Sequence, residues 1–99
     1  MLMTTLPDKG QAQAMAKYLL AERLAACAQL MPVESHYIWQ GEMQEAGEWL
    51  LLVKTRATLF EAAIRAIKAR HPYEVPEIVV GDFASGFAGY FRWIDDVTK

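Results

Sequence analysis

The residues that could bind a metal ion or act as nucleophiles are few and widely spaced. The 99-residue chain contains two histidines, His36 and His71, and one cysteine, Cys27. No two of them stand at the i, i+4 spacing, so they match no standard metal-ligand pattern. A lone cysteine forms no internal disulfide, and at a predicted helix-to-strand junction structural burial is favoured over a reactive thiolate.

His71 is the histidine whose position gives it two interpretations. It ends a predicted helix and precedes a proline. A histidine at a helix C-terminus is stabilised by the helix dipole and can cap the last carbonyls. As a metal ligand it would stand alone, whereas a soft metal ion prefers a thiolate or several imidazoles. The capping interpretation is therefore favoured, and His71 is kept as a candidate metal ligand.

Lys54 is the ionisable residue best suited to hold a small ligand. It is predicted to share a strand face with Leu50 and Leu52, so its ammonium group must find a partner or a cleft. An anion would suit that charge, while the alternative is a lysine whose stem packs and whose head reaches water. A polar cleft with aromatic walls at a subunit boundary would combine Lys54 with Tyr37, Trp39, Glu48, Tyr73 and Glu77.

Patterns typical of enzymes are missing from the sequence. The three glycines near the C-terminus do not have the spacing of a phosphate-binding loop, and no serine lies in a nucleophile-elbow motif. The adjacent carboxylates Asp95 and Asp96 are predicted to lie on an exposed helix, in contact with water. We therefore do not expect an enzyme.

The first half of the chain is predicted to form a strand, a helix and a long β-hairpin. Residues 1–6 are an apolar strand, and apolar spacings of three and four predict a helix over 9–24 with Asp8 as its N-cap. Residues 26–56 alternate as two strands with a turn predicted at 45–47. Pro32 indicates a bulge or an unpaired edge position in the first of these strands.

The second half is predicted to repeat the pattern of strand and helix. A helix over 58–71 would be capped by Thr58 and stopped by Pro72. A short strand at 77–80 and a terminal helix near 87–97 follow. The order βαββαβ plus a helix predicts one α+β domain over residues 1–99, with the four-stranded antiparallel sheet of the ferredoxin-like fold. That fold has many functions, so it assigns none.

Composition favours a homo-oligomer and excludes some partners. Hydrophobic residues make up 54% of this short chain, and a partner subunit would cover part of them. A hairpin strand of about 15 residues would span roughly 50 Å, so either it bends sharply at Pro32 or its tip projects beyond the core. A projecting apolar tip would aggregate unless it paired with a neighbouring chain, which is the favoured interpretation. The net charge of −2 and the scattered basic residues exclude a typical nucleic-acid binder. No apolar run is long enough to span a membrane, and the N-terminus does not resemble a signal peptide, so the cytoplasm is the expected location.

Several motifs fall in the order and at the spacing of a known family. They are TTLPD at 4–8, ERLAAC at 22–27, S-x-Y-x-W-x-G at 35–41, KT at 54–55, HPYEVPE at 71–77 and a Tyr90-x-x-Trp93 pair. Over essentially its whole length the chain resembles the CutA family of divalent-cation tolerance proteins. The resemblance implies a ferredoxin-like subunit in a homotrimer whose hairpins pack between subunits, and a role in tolerance of copper or another divalent metal.

The resemblance also implies a copper site that this chain carries only in part. Relatives have been credited with a cysteine in the first strand and one or two histidines before the Pro-Tyr pair. Here Thr4 and Arg70 stand at two of those positions, so only His71 remains. The leading hypothesis is a trimeric divalent-cation (copper) binding protein. The alternatives are a sensing or signalling module with an anionic ligand in the intersubunit cleft at Lys54, and a scaffold for partner proteins.

Overall fold

The computed structural model describes residues 1–99, which have an α+β fold. Its elements are β1 (Leu2–Leu6), α1 (Lys9–Ala21), β2 (Cys27–Trp39), β3 (Glu42–Lys54), α2 (Phe60–Arg70), β4 (Ile78–Val80) and α3 (Ala88–Val97). The strands form one antiparallel sheet in the order β2-β3-β1-β4. The prediction of a ferredoxin-like βαββαβ sheet with a long hairpin and a C-terminal helix is confirmed.

The core lies between one face of the sheet and the helices α1 and α2. Leu2 and Leu6 of β1 lie on the same face as Leu51 and Val53 of β3. Leu2 pairs with Val53, and side chains two residues apart along a strand point to the same face. All four are at most 1% exposed, and they pack against the apolar stripe of α1 and against Ala63 and Ile67 of α2. Burial of this one face holds the helices on the sheet.

The first helix is closed by side-chain and backbone hydrogen bonds at its two ends. Asp8 Oδ1 accepts from the Gln11 backbone N–H at 2.8 Å, as predicted for an N-cap. The helix ends at Ala21, three residues before the predicted end. Arg23 there has a left-handed φ of 56°, and Leu24 N–H donates to Leu19 C=O at 2.9 Å. This is a Schellman closure, which the apolar periodicity does not reveal because Leu24 is still buried against the core.

The hairpin turn lies at Gln40 and Gly41, so the turn predicted at 45–47 is wrong. Both turn residues have positive φ, 51° and 79°, as a two-residue type I′ connection requires. Residues 45–47 instead lie within β3, where the register continues from Trp39↔Glu42 to Cys27↔Lys54 without a break. The glycine at 47 therefore marks no turn.

The uninterrupted hairpin makes the molecule elongated. Its principal extents are 44 × 26 × 22 Å. Since the register has no bulge, Pro32 takes the other predicted role: β2 is an edge strand, and its missing N–H removes no bond from the sheet. The tip of the hairpin carries Ile38 at 67% exposure and Met43 at 86%.

The second helix begins differently from the prediction. A 3-10 turn at Ala57–Leu59 precedes it, and Thr58 lies inside this turn without a capping hydrogen bond. The helix itself is Phe60–Arg70, and His71 is its C-cap residue. None of the three helices has the length and apolar content that crossing a membrane requires.

The face of the sheet opposite the core is only partly covered. We call it the open face and define it by the apolar residues Met3, Met31, Leu50, Leu52 and Val79, which the strand register places on one side. Met31 is 43% and Val79 is 44% exposed. A sheet with a dry core on one side normally turns polar residues outward, so this face is suited to contact with another apolar surface.

Candidate functional site

His71 is fixed by hydrogen bonds to both of its ring nitrogens. Its Nε2 lies 2.8 Å from the Thr5 carbonyl oxygen and 3.1 Å from Thr4 Oγ1. Its Nδ1 accepts from the Tyr73 backbone N–H at 3.2 Å. Because Nδ1 is the acceptor, the proton of the neutral ring is on Nε2, which donates to the carbonyl of β1. The imidazole thus joins the end of α2 to the first strand and does not cap the carbonyls of α2.

This environment favours the neutral form of the histidine. Burial lowers the pKa of His71 below its ordinary value of 6.5, and the charge of Lys68 acts in the same direction. The hydrogen bond to Thr5 and the charge of Glu48 oppose these effects without reversing them. A metal ion could bind His71 only after one ring nitrogen had given up its present partner, since both are occupied.

Tyr73 and Glu48 form a partly buried polar pair at the edge of the same region. The Tyr73 hydroxyl donates to Glu48 Oε2 at 2.7 Å, and Glu48 is only 8% exposed. Burial, this hydrogen bond and the nearby groups Tyr37 and Asp8 raise the pKa of Tyr73 well above its usual range. Tyr73 therefore stays protonated and acts as a donor to the carboxylate.

Lys54 lies apart from that pair in the single chain. It is six residues from Glu48 along β3, a distance of about 20 Å in an extended strand. Its Nζ is 5.8 Å from the centre of the Tyr90 ring, and it takes part in none of the three ion pairs of the chain. Lys54 is thus a half-buried cation with an aromatic neighbour and no carboxylate partner.

The remaining residues of the predicted cleft are exposed. Trp39 lies at the hairpin tip, opposite Glu42, and is 40% exposed. Glu77 directly precedes β4 and is exposed. Within one chain a hydrogen bond joins Glu48 and Tyr73, and Tyr37 is near enough to raise the pKa of Tyr73. No hydrogen bond or ion pair joins Lys54, Trp39 or Glu77 to this group. A cleft that contains all six stays a prediction for the assembled oligomer.

No group of three or more His, Cys, Asp or Glu side chains within the chain is arranged to hold a metal ion. Thr4 is fully buried, and its hydroxyl oxygen lies against His71. The guanidinium carbon of Arg70 lies 3.5 Å from the centre of the Tyr18 ring, so that residue serves packing. Cys27 is half-buried and pairs across the hairpin with Lys54.

The sequence reasoning missed a cavity at the other end of β3. It lies between α2, α3 and the loop before α3, and its polar lining includes Thr55, Arg56, Asp82 and Asp95. In the sequence Thr55 and Arg56 stand at least 26 positions before Asp82 and Asp95, and no motif connects them. Only the fold brings them together.

Comparison with known proteins supports the same fold and a family. Residues 1–97 match the family described as CutA1 divalent ion tolerance protein. The divalent-cation tolerance protein CutA of Thermus thermophilus is 44% identical over 98 residues, which are 98% of this chain and 95% of that protein. Its solved structure has a TM-score of 0.95 at 43% identity and covers 99% of this chain and 96% of its own.

Other relatives differ in length and in the compartment that their names give. The rice protein CutA 1, chloroplastic, is 36% identical over 96% of this chain, but the chain spans only 54% of that protein's length. The periplasmic divalent cation tolerance protein CutA of Archaeoglobus fulgidus has a TM-score of 0.96 at 33% identity, covering 99% of this chain and 96% of its own. The cytoplasmic location therefore stays a prediction. The match over residues 1–97 shows that this chain belongs to the CutA1 divalent ion tolerance protein family.

Proposed function

We propose that this protein acts in divalent-cation tolerance as a homotrimer, in the cytoplasm, with copper as a candidate metal. The observation that carries the trimer is the open face together with the hairpin tip. A single chain leaves Met31 and Val79 more than 40% exposed on one face and Ile38 and Met43 still more exposed at the tip. Burial of apolar area contributes about 25 cal/mol per Å², so association of these surfaces is favourable.

Mass measurement in dilute neutral buffer tests the trimer. We expect three chains per particle by light scattering or sedimentation. Met31→Glu combined with Val79→Glu is expected to shift the particle to single chains, because two carboxylates would be placed in a desolvated contact. Leu20→Glu is the matched control, since Leu20 is 42% exposed on α1, away from the sheet. A stable, folded single chain of the unmodified protein would exclude the trimer.

The candidate metal ligand is His71, and the geometry fixes what binding requires. Copper or another divalent ion would need the Nδ1 lone pair now shared with Tyr73 N–H, or the Nε2 lone pair after loss of its proton. Further ligands would have to come from other copies, because one chain contains no group of three or more His, Cys, Asp or Glu side chains that could hold a metal ion. A three-fold axis supplies each ligand three times.

Titration of the purified protein with Cu²⁺ and Zn²⁺ tests this site. Stoichiometric binding that is lost in His71→Ala and kept in His36→Ala supports it. His36 is the suitable control because its ring is exposed on the hairpin, where Nε2 lies 2.9 Å from Glu34 and Nδ1 lies 3.4 Å from Glu45. Binding that survives His71→Ala would remove His71 from the proposal without affecting the trimer.

A second candidate function is binding of a small anion near Lys54, in an intersubunit cleft. The observation that favours it is a half-buried ammonium group with no carboxylate partner, near the Tyr90 ring. Thermal-shift measurements with inorganic phosphate and citrate test it. A stabilisation abolished by Lys54→Met and kept in Lys17→Met, on the exposed side of α1, favours this function. Equal shifts in both variants would contradict it.

A further inference from the structure

The cavity beyond the end of β3 has apolar walls that are already in place. Its volume is about 210 Å³, and Phe60, Phe91 and Ile94 are among its lining residues. Phe83 stacks on Phe91 with ring centres 5.4 Å apart. Gly86 approaches so closely that a Cβ atom there would lie 2.5 Å from Phe91 Cζ. These contacts hold the loop before α3 against the helix and keep one wall of the cavity fixed.

Arg56 supplies a positive charge that the protein leaves nearly unpaired. Its guanidinium makes one long hydrogen bond, from Nη2 to the Thr98 carbonyl at 3.5 Å. Its Nε is buried without any partner, as is the hydroxyl of Thr55, a residue only 2% exposed. Buried donors without acceptors are rare because each costs free energy. Both residues line the cavity, and Arg56 is its one basic residue, so its guanidinium is the group that an anionic part of a ligand would meet there.

Two carboxylates line the same cavity without neutralising Arg56. Neither Asp82 nor Asp95 lies within 4.0 Å of a basic group, since the ion pairs of the chain involve other residues. Asp95 and its neighbour Asp96 are both exposed, but only Asp95 is part of the lining. The cavity therefore offers a positive group, negative groups and an aromatic wall to one occupant.

We propose that this cavity binds a small zwitterion, an α-amino acid with an apolar side chain. Its carboxylate pairs with the Arg56 guanidinium, which matches a carboxylate geometrically. Its ammonium group faces Asp95 and Asp82, and its side chain packs on the phenylalanines. The volume lies below the range of about 300–1,000 Å³ typical of drug-sized ligands, so an occupant the size of a single amino acid is appropriate.

Calorimetry with L-phenylalanine and L-leucine tests the proposal. Two analogues separate the charges: 3-phenylpropanoate lacks the ammonium group, and phenethylamine lacks the carboxylate. We expect at least one of the two amino acids to bind, and each analogue to bind about tenfold or more weakly than L-phenylalanine when that is the ligand, because a hydrogen bond to a charged group is lost. No heat and no thermal shift with either amino acid at millimolar concentration would overturn the proposal.

Variants assign the binding to this cavity. Arg56→Met is expected to abolish it, whereas Arg65→Met, on the exposed side of α2, is expected to leave it unchanged. Asp95→Asn should weaken binding of the amino acid and leave binding of 3-phenylpropanoate unchanged. Asp96→Asn is the control for this variant. Both aspartates are exposed, so this pair is informative even if Arg56→Met impairs folding. Binding that is insensitive to both Arg56→Met and Asp95→Asn contradicts the assignment.

Discussion

Removal of the Tyr73 hydroxyl is expected to expose the energetic role of the Glu48 pair. In Tyr73→Phe the ring remains, but Glu48, a residue only 8% exposed, loses the hydroxyl donor that lies 2.7 Å from its Oε2. A hydrogen bond to a charged group contributes about 1.5–3 kcal/mol. We expect a loss of that size in the free energy of unfolding. For a domain of about 100 residues this lowers the melting temperature by about 6 °C or more.

Equilibrium unfolding in urea is the assay, at one fixed protomer concentration because association of chains would add to the apparent stability. Tyr18→Phe is the matched control. Tyr18 is half-buried beneath Arg70, and its hydroxyl makes no hydrogen bond, so its loss should change stability by less than about 0.5 kcal/mol. A double-mutant cycle with Glu48→Gln isolates the pair. A free energy of unfolding for Tyr73→Phe within about 0.5 kcal/mol of that of the parent protein would contradict this expectation.

Three further predictions concern the pH response, the loop before α3 and the end of α2. Burial lowers the pKa of His71 below 6.5, so the unfolded chain binds a proton more readily than the folded one. The contribution of His71 to the free energy of unfolding is therefore present above about pH 6.5 and is lost as the pH falls. The urea unfolding midpoint of His71→Gln should depend less on pH in that range than the midpoint of the parent protein. Gly86→Ala should destabilise by about 1–3 kcal/mol through its clash with Phe91 in thermal melts, whereas Gly81→Ala, which meets open space, should not. Arg70→Met should lower stability by about 0.5–1 kcal/mol in the same melts, because its contact with the Tyr18 ring is lost. A similar loss of stability in Arg65→Met would count against that explanation.

The fold was predictable because each element carries a local pattern. Apolar spacings of three and four marked α1, and alternation marked the hairpin strands, whose sheet order follows from the βαββαβ sequence. The end of α1 and the position of the hairpin turn were predicted wrongly, because both are set by backbone conformation, which leaves no mark in the hydrophobic pattern. Arg23, with its left-handed φ, ends α1 early. The hairpin turn is formed by Gln40, also with positive φ, and Gly41, whereas the glycine at 47 had suggested a turn at 45–47.

The candidate site was predictable only in part, because its contacts join residues distant in the chain. His71 was found as a helix-terminal residue, but its partners in β1 are 66 and 67 residues away. Glu48 and Tyr73 were both selected as cleft residues, and their direct hydrogen bond follows only from the fold. Arg56 was not selected, because an arginine after a strand has no pattern that distinguishes it from an ordinary surface charge.

The central position of β1 has a consequence for how the chain reaches its native state. Within this fold β1 precedes the other strands in the sequence, and it pairs with β3 at Leu2↔Val53 and with β4 at Leu2↔Val80. Its backbone N–H and C=O groups therefore have no partners in the sheet until β3 and β4 have also been synthesised. Such non-local pairing slows folding relative to helical proteins of equal size. The hairpin, whose partners are contiguous, is expected to assemble before the strand that links it to the rest of the sheet.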